Sequence, residues 1–155
     1  MAQKKRFKGS KIDEPFAAVF RSVLDSQALA DLSPHASKLL FELIRQYKGD
    51  NNGDLTLAWG IVSKRGWRSR TTLWRCKQEL VEAGFVYVTR KGHFPSTAEL
   101  LALTWFPLDV SPKFDQEALT CFKPKAYSKP SIQALILPAK RGSDTTLKTH
   151  SFVHG

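Results

Sequence analysis

The spacing of apolar residues changes along the chain, and each change marks an expected element. From Phe16 to Leu32 the apolar positions Phe16, Val19, Phe20, Val23 and Leu24 recur at helical spacing, and Ser26 is placed to cap a short following turn. A clearer helix starts at Ser33-Pro34, an N-cap followed by proline at the first helical position, where its missing N–H costs nothing. Ala36, Leu40, Leu43, Ile44 and Tyr47 then form one stripe that must be buried, and Gly49 is expected to end the helix. Asp50-Asn51-Asn52-Gly53 is a dense turn signal, and Leu55-Thr56 after it reads as a brief strand. Leu57, Ala58, Ile61 and Val62 predict a short helix over 57–64. Arg65-Gly66-Trp67-Arg68 interrupts it, and Ser69 caps a second helix running to about Ala83 with Gly84 at its exit.

After Gly84 the period falls to two. Phe85-Val86-Tyr87-Val88-Thr89 reads as a strand and Leu100 to Phe106 as its partner, separated by a polar, turn-rich loop from Arg90 to Thr97. Helices, a short strand and a hairpin with a basic tip, in that order, predict an α+β winged helix-turn-helix: a three-helix core plus a β-hairpin wing. The expected division is a flexible basic arm at 1–11, the winged-helix domain at 12–110 and a C-terminal extension at 111–155. The extension is expected to be largely irregular and disordered from about residue 139.

Length and composition narrow the class. At 155 residues, with 42% hydrophobic and 25% charged, the chain has the balance of one globular domain with tails. No apolar run approaches the roughly 18 residues that a spanning helix needs, and the basic N-terminus runs into Gly9, Ser10 and Lys11 where a secretory signal would be apolar. The expectation is a cytoplasmic protein with no membrane association. Cys76 and Cys121 show no metal-ligand or disulfide spacing and are expected to be reduced thiols.

Charge changes the picture further. A formal charge of +10 makes a polyanionic partner the first candidate, although composition alone fits a solvated charged face equally well. The charge is segmental: residues 1–11 hold five basic side chains and no acidic one, and residues 64–91 hold eight basic against two acidic. With Leu73 at the centre of the buried face, 100° per residue brings Cys76 and Leu80 to the same side and turns Thr71, Arg75, Gln78 and Glu82 outward. Arginine can engage guanine bidentately, glutamine can pair with adenine, and threonine offers a hydroxyl or a methyl. Ser69 and the first free N–H groups of the helix suit a backbone phosphate. The candidate DNA-binding residues are therefore Lys64, Arg65, Arg68, Ser69, Arg70, Thr71, Thr72, Arg75 and Gln78, joined by Arg90, Lys91 and His93 of the wing. The arm at 1–11 is a further candidate to track the DNA backbone or minor groove. Trp67 is expected to plug the core at the helix turn, Trp105 to sit in the hairpin core, and Trp74 to pack against the wing or the tail.

Ser69-Arg70-Thr71-Thr72-Leu73, Arg75, Glu79-Leu80 and Gly84-Phe85-Val86 carry a family resemblance. Residues 54–95 resemble the winged-helix domain of GntR-type bacterial regulators. Taken with Asn51-Asn52-Gly53-Asp54-Leu55, Lys64-Arg65-Gly66-Trp67, Thr89-Arg90-Lys91-Gly92 and Leu103-Thr104-Trp105, the chain is similar to small winged-helix proteins of phages, plasmids and other mobile elements of Gram-negative bacteria. The resemblance implies double-stranded DNA binding, and the leading expectation for its role is a transcriptional regulator of a mobile element. Lys77 departs from the GntR pattern, in which a buried leucine holds that position, so either the lysine snorkels along its stem or the helix sits differently. The effector domain of GntR-type regulators has no counterpart here, so the resemblance implies no inducer.

Two other readings stand beside this one: a plasmid or phage replication or partition accessory protein, and a winged helix turned into a protein-interaction module. The partners considered with DNA are a second copy in a homodimer and a protein engaged by the C-terminal extension. Catalysis is not expected, because there is no P-loop, no His-Glu-x-x-His, no Gly-x-Ser-x-Gly and no spaced acidic cluster, and His35, His93, His150 and His154 are scattered. No cofactor is expected.

Overall fold

Ser33 and Pro34 start the longest helix of the first half of the chain in the way their chemistry dictates. The Ser33 hydroxyl accepts from the Ala36 N–H at 3.2 Å, and Pro34 follows at the first helical position of a helix over Pro34–Gln46. The computed structural model describes residues 15–129. Within them the fold is α+β, with six α-helices and one two-stranded antiparallel sheet. The expected arm at 1–11 and the expected disordered tail from 139 lie outside the described residues.

Two short helices, α1 (Arg21–Leu24) and α2 (Gln27–Ala30), precede the long one, α3 (Pro34–Gln46). The helical pattern from Phe16 to Leu32 is therefore broken, and residues 15–20 carry no helix. Ser26 divides α1 from α2 and caps the second turn, as expected: its hydroxyl donates to Val23 O at 2.7 Å and accepts from the Leu29 N–H at 3.2 Å, closing one turn and opening the next. Of the apolar residues in that stretch only Val23 is fully buried, while Phe16, Phe20 and Leu24 are exposed. In α3 the stripe Ala36, Leu40, Leu43 and Ile44 is buried, together with Leu39. The helix stops at Gln46, earlier than Gly49, because the Asn51 side chain accepts from the Lys48 N–H at 2.7 Å and donates to Gln46 O at 2.9 Å. Tyr47, just beyond, stacks on Phe106 with ring centroids 4.2 Å apart.

The turn at 50–53 does more than reverse the chain. Asn52 is fully buried, and its side chain bonds the backbone of the hairpin's second strand. Leu55 then exchanges backbone hydrogen bonds with Leu101 at 3.1 and 2.8 Å, an isolated bridge where a brief strand was expected. Helix α4 covers Trp59–Val62, shorter than the expected 57–64. The Thr56 hydroxyl accepts from the Ala58 N–H at 3.2 Å and holds the chain out of a helix before Trp59, and a 3-10 turn over Ser63–Arg65 ends at left-handed Gly66.

Helix α5 (Arg70–Glu82) is capped by the Ser69 hydroxyl, which accepts from the Thr72 N–H at 3.2 Å. It packs on α3 through Leu73, Cys76 and Leu80. The two helices are also joined end to side. Glu79 of α5 accepts from the backbone N–H of Ser33 at 2.6 Å and from its hydroxyl at 2.7 Å, a carboxylate placed where the α3 dipole favours negative charge. The exit of α5 is a Schellman turn: Phe85 N–H donates to Leu80 O and Gly84 N–H to Val81 O, both at 3.0 Å, with Gly84 at φ +81°.

Strands β1 (Val86–Arg90) and β2 (Leu100–Leu103) pair from Val86↔Leu103 to Arg90↔Leu100, with a bulge at Thr89, whose hydroxyl donates to Gly53 O at 2.6 Å. The second strand stops before the expected Phe106, where the chain turns Trp105 and Phe106 into an aromatic cluster. Trp67 and Trp105 are buried, as expected. The extension is more ordered than expected up to residue 129. A short helix α6 (Ala118–Cys121) lies against β1, and Tyr127 is buried, stacking on Phe85 at 5.2 Å. A Cβ on Gly84 would fall 2.5 Å from the Ala126 backbone, so glycine there also admits this segment. Packed chain thus continues past the expected boundary at 110. No helix among the described residues is long and apolar enough to cross a membrane.

The two cysteines are unpaired and differ in access: Cys121 is exposed and Cys76 is buried in the α3–α5 contact. Burial, and then the Glu79 carboxylate, push the Cys76 thiol above its ordinary range, and Arg75 only partly opposes them. Under native conditions iodoacetamide is expected to label Cys121 readily and Cys76 only after unfolding. Equal labelling rates by peptide mass analysis would show that the α3–α5 contact opens.

Candidate nucleic-acid interface

Because Leu73, Cys76 and Leu80 face α3, α5 presents its other side to solvent, where Thr71, Trp74, Arg75 and Glu82 are exposed and Gln78 is half-buried. The Ser69 hydroxyl is engaged as the cap on Thr72 N–H, which leaves the first two helical N–H groups, those of Arg70 and Thr71, without an intrahelical acceptor. Thr72 is half-buried. Ser69 and Thr72 therefore shape the helix start, and Arg70, Thr71, Arg75 and Gln78 are the side chains it presents.

The basic residues divide by what they touch. Lys64, Arg68, Arg75 and Lys91 are exposed and form no ion pair among the described residues. The Arg70 guanidinium lies 5.0 Å from the centre of the Trp59 ring, a cation–π contact that holds it at the mouth of the helix pair. Arg65 is held differently. Its Nε bonds the Glu42 carboxylate, which is only 7% exposed and also meets Arg45 at 3.4 Å, so Arg65 serves to neutralise a carboxylate inside the fold. Lys77 bonds both oxygens of Glu99 at 2.8 and 2.9 Å, tying α5 to the loop end of the hairpin and explaining how a lysine occupies that flank.

These contacts also remove negative charge from the face. Glu42, Glu79 and Glu99 are each engaged by a cation or a helix N-terminus, which leaves Glu82, on the last turn, as the acidic side chain of α5 without such a partner among the described residues. Trp74, Arg75, Gln78, Glu79 and Glu82 line one open groove along the helix.

In the hairpin, Arg90 donates from Nε and Nη2 to Ala98 O at 3.1 and 2.8 Å, so its side chain braces the loop. Lys91 and His93 are exposed, and the Lys91 backbone N–H donates to Asp115 at 2.9 Å. Two aromatic positions stand out against the sequence reading. Trp74, expected to pack against the wing or the tail, is 58% exposed on the outward face of α5. Phe94, not among the candidates, is fully exposed at the hairpin tip. The angular arithmetic that turned Thr71 and Gln78 outward places Trp74 near them, so that signal was legible. Trp59 as the platform for Arg70 left no local signal. Among the described residues no group of three or more His, Cys, Asp or Glu could hold a metal ion.

Comparison of the chain with protein-family models, with curated proteins and with solved structures finds no match.

Proposed function

We propose that the protein binds double-stranded DNA as a winged helix-turn-helix, with α4 and α5 as the helix pair, α5 entering the major groove and the β1–β2 hairpin serving as the wing. The observation that carries this reading is the outward face of α5. It presents Arg70, Thr71, Arg75 and Gln78, with exposed Arg68 and Lys64 just before the helix, while Glu42, Glu79 and Glu99 are engaged within the fold and Glu82, on the last turn, is the exposed carboxylate of the helix. A regulator of transcription and a replication accessory protein share these residues, and footprinting on the protein's own locus separates them: protection of a promoter is the result expected of a regulator, and repeated sites beside a replicase gene favour the other reading.

Binding itself is tested by fluorescence anisotropy of labelled duplex over a salt series. With about six phosphate contacts, log K falls against log salt with a slope of about −5. A flat response, or no binding to any duplex at low salt, overturns the proposal.

A further inference from the structure

The tip of the hairpin is a braced mount for a single aromatic ring. His93 and Thr97 exchange backbone hydrogen bonds at 3.0 and 2.8 Å, which closes Phe94-Pro95-Ser96 into a tight tip between them. Below it, the Arg90 guanidinium grips Ala98 O, the Lys91 N–H is held by Asp115, and Glu99 is held by Lys77 of α5. A Cβ on Gly92 would approach Glu99 N to 3.1 Å, so the two sides of the loop lie close together. Phe94 stands on this mount with its ring wholly in solvent, 100% exposed, and Lys91 and His93 are exposed beside it.

Scattered exposed apolar residues need no explanation. A fully exposed phenyl ring on a loop held by four separate tethers, flanked by cationic or hydrogen-bonding side chains and tied to the basic helix, is a different case. Tethers restrict the ring's position before any partner arrives, and this lowers the ordering cost of inserting it into one. A flat apolar ring matches the face of a nucleobase, and apolar side chains that enter the minor groove do so by wedging between base steps.

Resting on the DNA-binding reading above, we propose that Phe94, backed by Pro95, is a wedge that enters one base step from the minor groove beside the segment read by α5. It unstacks that step and kinks the duplex, with Lys91 and His93 on the flanking phosphates. The inference adds a source of sequence preference that uses no hydrogen bond to a base. Pyrimidine–purine steps unstack most easily, so the favoured site carries one at the point of insertion.

The test uses the full chain with duplexes that carry aminopurine at successive positions, and with end-labelled duplexes that report bending by energy transfer. The wild-type protein is expected to raise aminopurine fluorescence at one step beside the footprint and to shorten the end-to-end distance. Phe94→Ala, which removes no contact from the fold, is expected to abolish both signals and to weaken binding about tenfold, with the salt slope unchanged. Phe94→Leu is expected to retain part of the bend. Lys91→Ala is expected to make the slope shallower by about one and to leave the bend in place. If the wild type binds with a steep salt slope yet unstacks no step, or if Phe94→Ala bends DNA as the wild type does, the wedge is overturned and the DNA-binding reading stands. If neither protein binds any duplex at low salt, both fall.

Discussion

Asn52→Ala is expected to lower the free energy of unfolding by about 3 to 5 kcal/mol, a large part of the stability of a domain this size. The side chain is fully buried, and its amide bonds only backbone. Nδ2 donates to Leu103 O at 2.9 Å, Phe106 O at 3.2 Å and Pro107 O at 2.9 Å, and Oδ1 accepts from the Leu103 N–H at 2.8 Å. Alanine would leave one buried N–H and up to three carbonyls without that partner, at about 1 to 3 kcal/mol for each group that water cannot reach. The Asn52 backbone keeps its two bonds to Asp109, donating its N–H to the carboxylate and accepting from the Asp109 N–H, and these limit the loss. Asn52→Asp is expected to cost at least as much, because it sets an acceptor against the carbonyls that now receive hydrogens. Urea unfolding of the three proteins measures the effect, and a change below about 1 kcal/mol for alanine would show that the turn and hairpin hold their register without this side chain.

Asn52 also shows where local reading stops. Asn51-Asn52-Gly53 reads correctly as a turn, but whether its amide is solvated or buried depends on Leu103 and Pro107, more than 50 positions away, and no spacing rule links them. Elements fixed by neighbouring residues were legible: the Ser33 and Ser69 caps, the buried face of α5, the glycine exit at Gly84 and the change to a two-residue period all have causes within a few residues. Between Phe16 and Leu32 the same reasoning holds only in part: the Ser26 cap of the following turn was legible, but residues 15–20 share the helical spacing and form no helix. On α5 the outward direction of Thr71, Arg75, Gln78 and Glu82 followed from the helical period, whereas the freedom of the basic side chains around the site did not. Arg65 and Arg68 are alike in sequence, yet only Arg65 meets a buried carboxylate, and that carboxylate comes from Glu42 on α3. Tyr127 was missed for a related reason: a lone aromatic in a Lys- and Pro-rich segment gives no period, and its burial rests on Phe85 and Trp105.

The difference between free and engaged arginines leads to the second large effect. Replacing Arg70 and Arg75 together by alanine is expected to remove about 2 to 6 kcal/mol of binding to the cognate duplex, from some thirtyfold to roughly 10⁴-fold, if each arginine makes a bidentate contact to guanine. Binding to random duplex is expected to fall far less, because only the shared attraction to phosphate is lost there. The single variants should differ. Arg75 has no ion-pair partner among the described residues, so Arg75→Ala should act on binding alone and leave the melting temperature unchanged. Arg70 lies over the Trp59 ring at 5.0 Å, which orients its guanidinium before DNA arrives. Arg70→Ala should therefore also cost about 0.5 to 1 kcal/mol of stability. Arg70→Lys should not rescue specificity, since an ammonium cannot reproduce the planar fork even where it keeps the charge over the ring. Competition of cognate against random duplex, run for each variant alongside thermal melts, separates these effects. A cognate-to-random ratio that stays at the wild-type value in the folded double variant would move base reading away from the start of α5, with Gln78 and Trp74 on the same outward face the next to replace.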